Sequence, residues 1–295
     1  MKQRVIALGF FDGVHLGHGA LLRAACRRAE ETGSVSAALL FDRHPSHVLP
    51  GEPVKLLNTA EERSLLMRHL YHIDEVVTFP FDETIASMPW DEFVRCILVK
   101  ELHACHVVAG FDFRFGYCGE GTTEKLRRLC ASLGIGCDII DRVTLDDQTV
   151  SSSMIRDLIT VGDVRRAAHF LGHYHFFYAQ VEHGAALGRR IGIPTINQHF
   201  DPQICLPRFG VYVTRVHIAD NVYRGVTNIG TRPTVTDAQI AKAETYILDF
   251  TGNLYDQHIG LELIDFIRPE EHFSDLDSLR AAIARDISYA AHVPL

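Results

Sequence analysis

The chain has 295 residues, 47% of them hydrophobic and 22% charged, with a formal net charge of −8 at neutral pH. That length suits two domains better than one core, and the acidic balance argues against non-specific nucleic-acid binding while leaving room for a local basic groove. No apolar run approaches the roughly 18 residues that a membrane span requires, and Met1-Lys2-Gln3-Arg4-Val5 enters an apolar segment at once, without signal-peptide layout. A cytoplasmic protein with neither membrane nor nucleic-acid partners is therefore expected. The 7 cysteines include no Cys-x-x-Cys pair and read as reduced thiols, Cys130 and Cys137 included. Most of the 17 histidines have no convergent ligand set in the sequence and read as surface or capping residues.

The first element is the apolar strand Val5-Ile6-Ala7-Leu8, ending at Gly9. It passes through Phe11-Asp12-Gly13 into an amphipathic helix reaching about Glu30, with His15 and His18 at the helix mouth. Ser36 to Phe41 is a second buried strand, followed by Asp42-Arg43-His44-Pro45. Thr59 through Glu62 spells a capping box for a helix to about Tyr71. Glu75 to Thr78 is a short strand. Ser87 with Pro89 opens another helix, with Phe93, Ile97, Leu98 and Leu102 at helical spacing. His106 to Gly110 is a strand leading into Phe111-Asp112-Phe113-Arg114-Phe115-Gly116. A helix from about Thr123 to Leu133 precedes a strand at Cys137 to Ile140. Strands alternating with helices predict a parallel, doubly wound sheet. Its ligands should lie beyond the carboxyl ends of the strands, where Asp12, His44 and Asp112 are expected to face one crevice.

The rhythm changes after about Thr160. A short helix from Gly162-Asp163 to Leu171 is followed by strands at Phe176 to His183, Gly210 to Ala219, Tyr223 to Ile229, Tyr246 to Phe250 and Gly260 to Ile267. These predict a small antiparallel barrel. A last helix runs from about Asp277 to Ala291, capped near Ser274. The expected domains are residues 1–160 and 172–295, joined by a linker helix over 161–171.

Four segments carry the polar chemistry. The turn from Gly9 to His18 presents unpaired helix N–H groups and two imidazoles, which suits phosphate, and Gly17 would let a nucleotide approach. Ser151-Ser152-Ser153-Met154-Ile155-Arg156 places hydroxyls at a helix start and an arginine one turn in, suited to the outer phosphates of ATP. Alone, it reads better as an N-capped helix with a surface arginine; paired with His15-x-Gly17-His18, the phosphate reading prevails. Gly184 to Asn197 is too rich in glycine for a helix and reads as a phosphate-binding flap. Within it Thr195 and Asn197 point the same way around Ile196 and offer two oxygens to one Mg²⁺. The blander reading is a hairpin capping a barrel. Asn228 to Thr234 is a polar loop after a strand. Glu244 heads a strand and is placed either as a base on a hydroxyl or as a solvated edge charge.

His15-x-Gly17-His18 resembles the signature of the nucleotidyltransferase superfamily, and Ser151 to Arg156 resembles its Ser-Ser-Thr-x-Ile-Arg motif. With Phe41 to Pro45, Gly110 to Gly116, Gly184 to Asn197, Leu206-Pro207 with Gly210-Val211-Tyr212, Asn228 to Thr234 and Glu244, the chain resembles, nearly end to end, the bacterial bifunctional riboflavin kinases/FMN adenylyltransferases. The resemblance implies an α/β Rossmann-like nucleotidyltransferase domain followed by a mainly-β split-barrel domain of six strands with a C-terminal helix. It implies phosphorylation of riboflavin to FMN by ATP with Mg²⁺, then adenylylation of FMN to FAD with release of pyrophosphate. In that scheme Glu244, His15 and His18 are catalytic. ATP and its phosphates fall to Gly9, Phe11, Asp12, Gly13, Gly17, Ser152, Ser153, Arg156, Gly184, Gly188, Arg189, Gly192, Pro194, Thr195 and Asn197. The metal falls to Thr195 and Asn197, and flavin to His44, Asp112, Asn228 and Arg232. Partners are the small-molecule substrates, with flavoproteins as clients for the product; no oligomeric state is specified.

The chain departs from that pattern at Phe10, where the family usually has Asn, at Ser153 for Thr, and at Met154, where Arg is common. Leu171-Gly172-His173-Tyr174-His175 replaces the usual Leu-Gly-Arg-Pro-Tyr, and Ala179 stands where a glycine is usual. Two further readings stay open. One is a riboflavin kinase with a weakened or lost adenylyltransferase site. The other is a flavin- or nucleotide-binding regulatory protein without turnover. A tRNA-charging enzyme, which also carries His-x-Gly-His, is disfavoured by the short, acidic chain.

Overall fold

The computed structural model describes residues 2–48, 52–183, 188, 192–231 and 241–295. Contacts divide the chain into two compact units, Met1–Ser152 and Ser153–Leu295.

In the first unit, β1 (Arg4–Leu8) runs through the turn Asp12–Val14 into α1 (Leu16–Thr32), then β2 (Val35–Phe41), α2 (Ala60–Tyr71) and β3 (Glu75–Phe79). The capping box of α2 forms as expected: the Thr59 hydroxyl accepts the Glu62 N–H and the Glu62 carboxylate accepts the Thr59 N–H. A short helix, α3 (Glu83–Ser87), capped by Asp82, stands where no separate element was expected. Pro89 then opens α4 (Trp90–Glu92), which continues as a π-helix over Phe93–Glu101, and all four expected apolar positions are buried. β4 (Ala104–Gly110), α5 (Thr123–Ser132), β5 (Gly136–Ile140) and a small hairpin of β6 (Thr144–Leu145) and β7 (Gln148–Thr149) complete the unit.

The five main strands form one parallel sheet, β3-β2-β1-β4-β5. Ile6, Leu8, Leu39, Val107 and Ala109 join Phe93, Leu98, Leu126 and Leu129 in one core cluster. Val5 and Ala7 alternate to the opposite face, and α1 packs on β1, β2 and β4. Both faces are covered, which is why these strands read as continuous apolar runs. The strand order reverses direction at β1 beside β4, the place where open parallel sheets bind ligands.

In the second unit, α6 (Ser152–Val161) and α7 (Val164–Leu171) precede β8 (His175–Gln180), β9 (Thr195–His199), β10 (Gly210–Ile218), β11 (Asn221–Thr231), β12 (Ala241–Ile247), β13 (His258–Arg268) and α8 (Leu276–His292). The six strands form one antiparallel sheet, β8-β13-β10-β11-β12-β9. Its two ends meet: the Glu182 N–H donates to the Asn197 carbonyl at 2.8 Å, and the Gln198 amide donates to the carbonyls of Ala179 and Ile259. β9 was expected as part of a flap, and its side chains explain why. A Thr-Ile-Asn-Gln-His run lacks an apolar signature, and its strand character comes from pairing with β12. α8 is capped by Asp275 rather than Ser274, with the Asp275 carboxylate accepting the Ser278 N–H at 2.7 Å. All seven cysteines are free thiols, and those of Cys130 and Cys137 hydrogen-bond to each other.

Candidate active sites

The first site is built at the end of β1. Phe11 and Val14 both adopt left-handed backbone, with φ of 59° and 43°. That is unfavourable for a bulky or β-branched residue and typical of functional turns. Phe11 is held there by complete burial, its ring filling the space above Gly9 and meeting His18 edge-on. His15 caps α1, its Nδ1 accepting the His18 N–H at 3.3 Å, so a neutral His15 carries its proton on Nε2. The two imidazoles stack with centroids 3.7 Å apart. A Cβ at Gly17 would lie 3.0 Å from the His15 ring, so a larger residue there would press on the histidine stack. Burial, followed by the charges of His15 and Arg63, pushes His18 well below the ordinary imidazole value. Its buried Nδ1 has no hydrogen-bond partner among the described residues.

Asp12, His44 and Asp112 do follow β1, β2 and β4, at one edge of the sheet. The Asp12 carboxylate, however, is buried and accepts the N–H groups of Leu57 and Asn58 at 2.8 and 3.3 Å, so it holds that loop instead of facing a crevice. Its main chain still ties the turn to the start of α6, because the Ser152 hydroxyl donates to the Asp12 carbonyl at 2.9 Å. Ser46 fixes His44 by donating its N–H to the ring Nδ1 at 3.1 Å. Asp112 is exposed on a loop whose Tyr117 N–H donates to the Met88 carbonyl at 2.7 Å. Ser153 and Arg156 lie on α6 in the second unit, where the guanidinium donates to the Ser153 hydroxyl at 3.1 Å.

The second site is a row across three strands. Glu244 on β12 stands opposite Asn197 on β9 and opposite Asn228 on β11. It lies inside the sheet, not on an edge, and that removes the reading of a solvated edge charge. All three side chains, with Thr195 and Tyr246, line a cavity of 270 Å³ whose far wall includes Arg268, Phe273 and Asp286. Lys242, two residues before Glu244 on the same face, forms an ion pair with it. The Asn228 amide donates to Glu270 at 3.2 Å, and a Cβ at Gly230 would strike that carboxylate. A second cavity of 260 Å³, lined by Pro194, Thr195, Ile196, Asn253 and Tyr255, shares Thr195 with the first. Gly188 packs against the Ile193 carbonyl, leaving no space for a side chain, and Gly192 makes the adjoining turn at φ 78°. Gly184, Arg189 and Arg232 lie outside the described residues. Sequence reading missed Lys242, Arg268, Glu270 and Asp286. Only Lys242 carries a sequence signal, the period-two spacing to Glu244 along a strand.

The FAD synthetase family matches residues 1–154 and the riboflavin kinase family residues 171–293. The chain is 35% identical over 286 residues to the bifunctional riboflavin kinase/FMN adenylyltransferase of Listeria monocytogenes, covering 96% of this chain and 90% of that one. It is likewise 35% identical to the enzyme of the same name from Bacillus subtilis, with the same coverage. A crystal structure described as a macrolide-efflux protein from Streptococcus pneumoniae superposes with a TM-score of 0.86 at 29% identity, covering 99% of this chain and 95% of that one. Among the described residues of the present chain no helix is long and apolar enough to cross a membrane. Two family matches in tandem and end-to-end identity to enzymes from two organisms place the chain in the bifunctional riboflavin kinase/FMN adenylyltransferase family.

Proposed function

We propose that this chain phosphorylates riboflavin to FMN with ATP and then adenylylates FMN to FAD. Residues 172–295 form the kinase domain, residues 1–160 the adenylyltransferase domain, and 161–171 the linker helix. The observation that carries the kinase assignment is the Asn197-Glu244-Asn228 row on the wall of a cavity that shares Thr195 with a second one. Two cavities meeting at a polar strand fit a reaction that brings two substrates end to end.

In this reading flavin occupies the cavity of Asn228, Tyr246 and Phe273, while the nucleotide occupies the cavity of Pro194, Thr195 and Tyr255; the family resemblance assigns Arg232 to flavin as well. The resemblance assigns the nucleotide's phosphates to Gly184, Gly188, Arg189 and Gly192. Glu244 takes the proton from the ribityl hydroxyl as the oxygen attacks the γ-phosphorus, and the ion pair with Lys242 orients that carboxylate. The Thr195 hydroxyl and the Asn197 amide oxygen are hard donors on one strand face, which suits Mg²⁺ sharing its remaining positions with phosphate and water. When bound, the metal supplies neutralisation of phosphate charge.

In the first domain the FMN phosphate is itself the nucleophile on the α-phosphorus of ATP, and pyrophosphate leaves. The N–H groups of the α1 mouth, with His15 Nε2–H, stabilise the charge that develops. Gly9, Phe11, Gly13 and Gly17 shape that mouth, and Ser152, Ser153 and Arg156 hold the outer phosphates. His44 and Asp112 contact FMN. The free thiols and the small-molecule substrates fit a cytoplasmic enzyme.

Incubating the purified protein with riboflavin, ATP and Mg²⁺ and separating the flavins over time tests this reading. FMN should appear first and FAD at its expense. FMN without FAD would leave the kinase alone, pointing to Phe10 and Met154. Neither product would overturn both assignments.

A further inference from the structure

Arg63 is the largest fully buried side chain among the described residues, with 0% exposure. It sits near the start of α2, where the helix dipole disfavours a cation, and in an interior where a charge is costly. Its guanidinium has no ion pair among the described residues. Nη1 donates to the Phe10 carbonyl at 2.6 Å, Nη2 to the Phe41 carbonyl at 3.0 Å and Nε to the Thr59 carbonyl at 3.3 Å. Phe10 follows β1 and leads into the His15–His18 turn. Phe41 ends β2 and leads into His44. The Phe10 ring lies under the guanidinium at 4.3 Å and meets His44 edge-on at 4.7 Å.

We propose that Arg63 is a positioning residue of the adenylyltransferase site, its guanidinium clamping the ends of β1 and β2 so that the His15–His18 turn and the His44 loop stand at a fixed separation. The proposal rests on reading the first unit as an FMN adenylyltransferase. Only a planar fork reaches two carbonyls on neighbouring strands and a third on its own helix; a lysine ammonium has the charge without that geometry. The Arg63 cation is faced by Asp12 from the turn, Asp42 beyond β2, Glu62 on α2 and the His18 ring on α1. Burial lowers its pKa to about 10, partly offset by those three carboxylates, so it stays charged at neutral pH.

The test uses the full chain as wild type, Arg63→Met and Arg63→Lys, assayed from about pH 6 to 8.5, where Arg63 itself stays charged, for FAD formation from added FMN and for FMN formation from riboflavin. Arg63→Met should lower kcat for FAD formation roughly a hundredfold, as a misplaced catalytic turn does, with KM values within about threefold and FMN formation unchanged. Arg63→Lys should recover part of that kcat at neutral pH and lose it again as pH rises, because a buried lysine sheds its proton where arginine does not. Wild type and the FMN-forming reaction should lack that alkaline loss. A folded Arg63→Met with wild-type kcat, or an Arg63→Lys profile parallel to wild type, would overturn the clamp. Should Arg63→Met fail to fold, as read from the emission of Trp90, the Arg63→Lys profile decides. A wild type that makes no FAD would instead overturn the adenylyltransferase reading, and the clamp with it.

Discussion

Asn197 and Glu244 face each other across antiparallel β9 and β12, so the carboxylate assigned as base is held beside the amide assigned to metal and phosphate. A positioned base contributes roughly a hundred- to ten-thousandfold to a proton transfer. Glu244→Gln keeps the shape and removes the basic oxygen, so FMN formation should fall by about that range. FAD formation from added FMN should stay within roughly twofold of wild type, because the histidine turn lies in the other unit. Equal loss of both activities would contradict two independent sites.

The loop that carries Asp112 is seated on Trp90. Gly116 has φ of 72° with extended ψ, a region essentially reserved for glycine. A Cβ there would lie 2.4 Å from the Trp90 Cα. Gly116→Ala must therefore push the loop away from its seat. We expect KM for FMN in FAD formation to rise roughly tenfold, about 1.4 kcal/mol of binding, with FMN formation unaffected. The single tryptophan of the chain reports the displacement directly through its emission. A shifted emission with an unchanged KM for FMN would remove this loop from the flavin site.

How much of this was legible in advance depended on whether a residue's partners were local. The Thr59–Glu62 capping box and the apolar runs of β1, β2 and β4 were readable because their determinants lie within a few residues or in a period. β9 was not, because Asn197 and Gln198 are polar and buried, and their partners Glu244, Ala179 and Ile259 arrive from other strands. Arg63 carried no sequence signal, and the Asp12 carboxylate was expected in the crevice, for the same reason. Each is charged, each is buried by main-chain groups of distant residues, and composition assigns such residues to solvent. The His-x-Gly-His motif is local in sequence, but the packing of Gly17 against the His15 ring is a contact that the motif alone does not reveal.

His175 on β8 is buried, and that burial, with a lesser contribution from His173, lowers its pKa to about 4. The folded state thus keeps it neutral, while the unfolded chain takes up a proton below about pH 6.5. The stability it contributes is complete above pH 6.5 and is lost as pH falls toward 4. Between pH 7 and 5 the cost to the second unit should be about 2 kcal/mol. Urea unfolding followed by circular dichroism, with the second unit's transition identified by its shift on adding riboflavin and ADP, should show that loss. His175→Gln should abolish most of it. An equal pH dependence in wild type and variant would place the acid sensitivity elsewhere.

Arg268 and Asp286 form a bidentate pair on the wall of the kinase cavity, with Nε to Oδ1 at 3.0 Å and Nη2 to Oδ2 at 2.8 Å. Asp286 is 4% exposed, so Arg268→Met leaves a buried carboxylate without its partner and should destabilise the second unit by roughly 3 kcal/mol. The double variant Arg268→Met/Asp286→Leu removes both charges, and apolar replacement of a buried pair is often close to neutral. Its stability should therefore recover to within about 1 kcal/mol of wild type. Riboflavin affinity should not recover with it, because the Arg268 guanidinium also lies 5.7 Å from the Phe273 ring, and the two side chains together shape the cavity wall. A raised KM for riboflavin with an unchanged KM for ATP, in a double variant of near-native stability, separates the pair's role in the pocket from its role in the fold. Recovery of both would make it a structural pair only, and recovery of neither would mean that the packing around Asp286 cannot accept an apolar side chain.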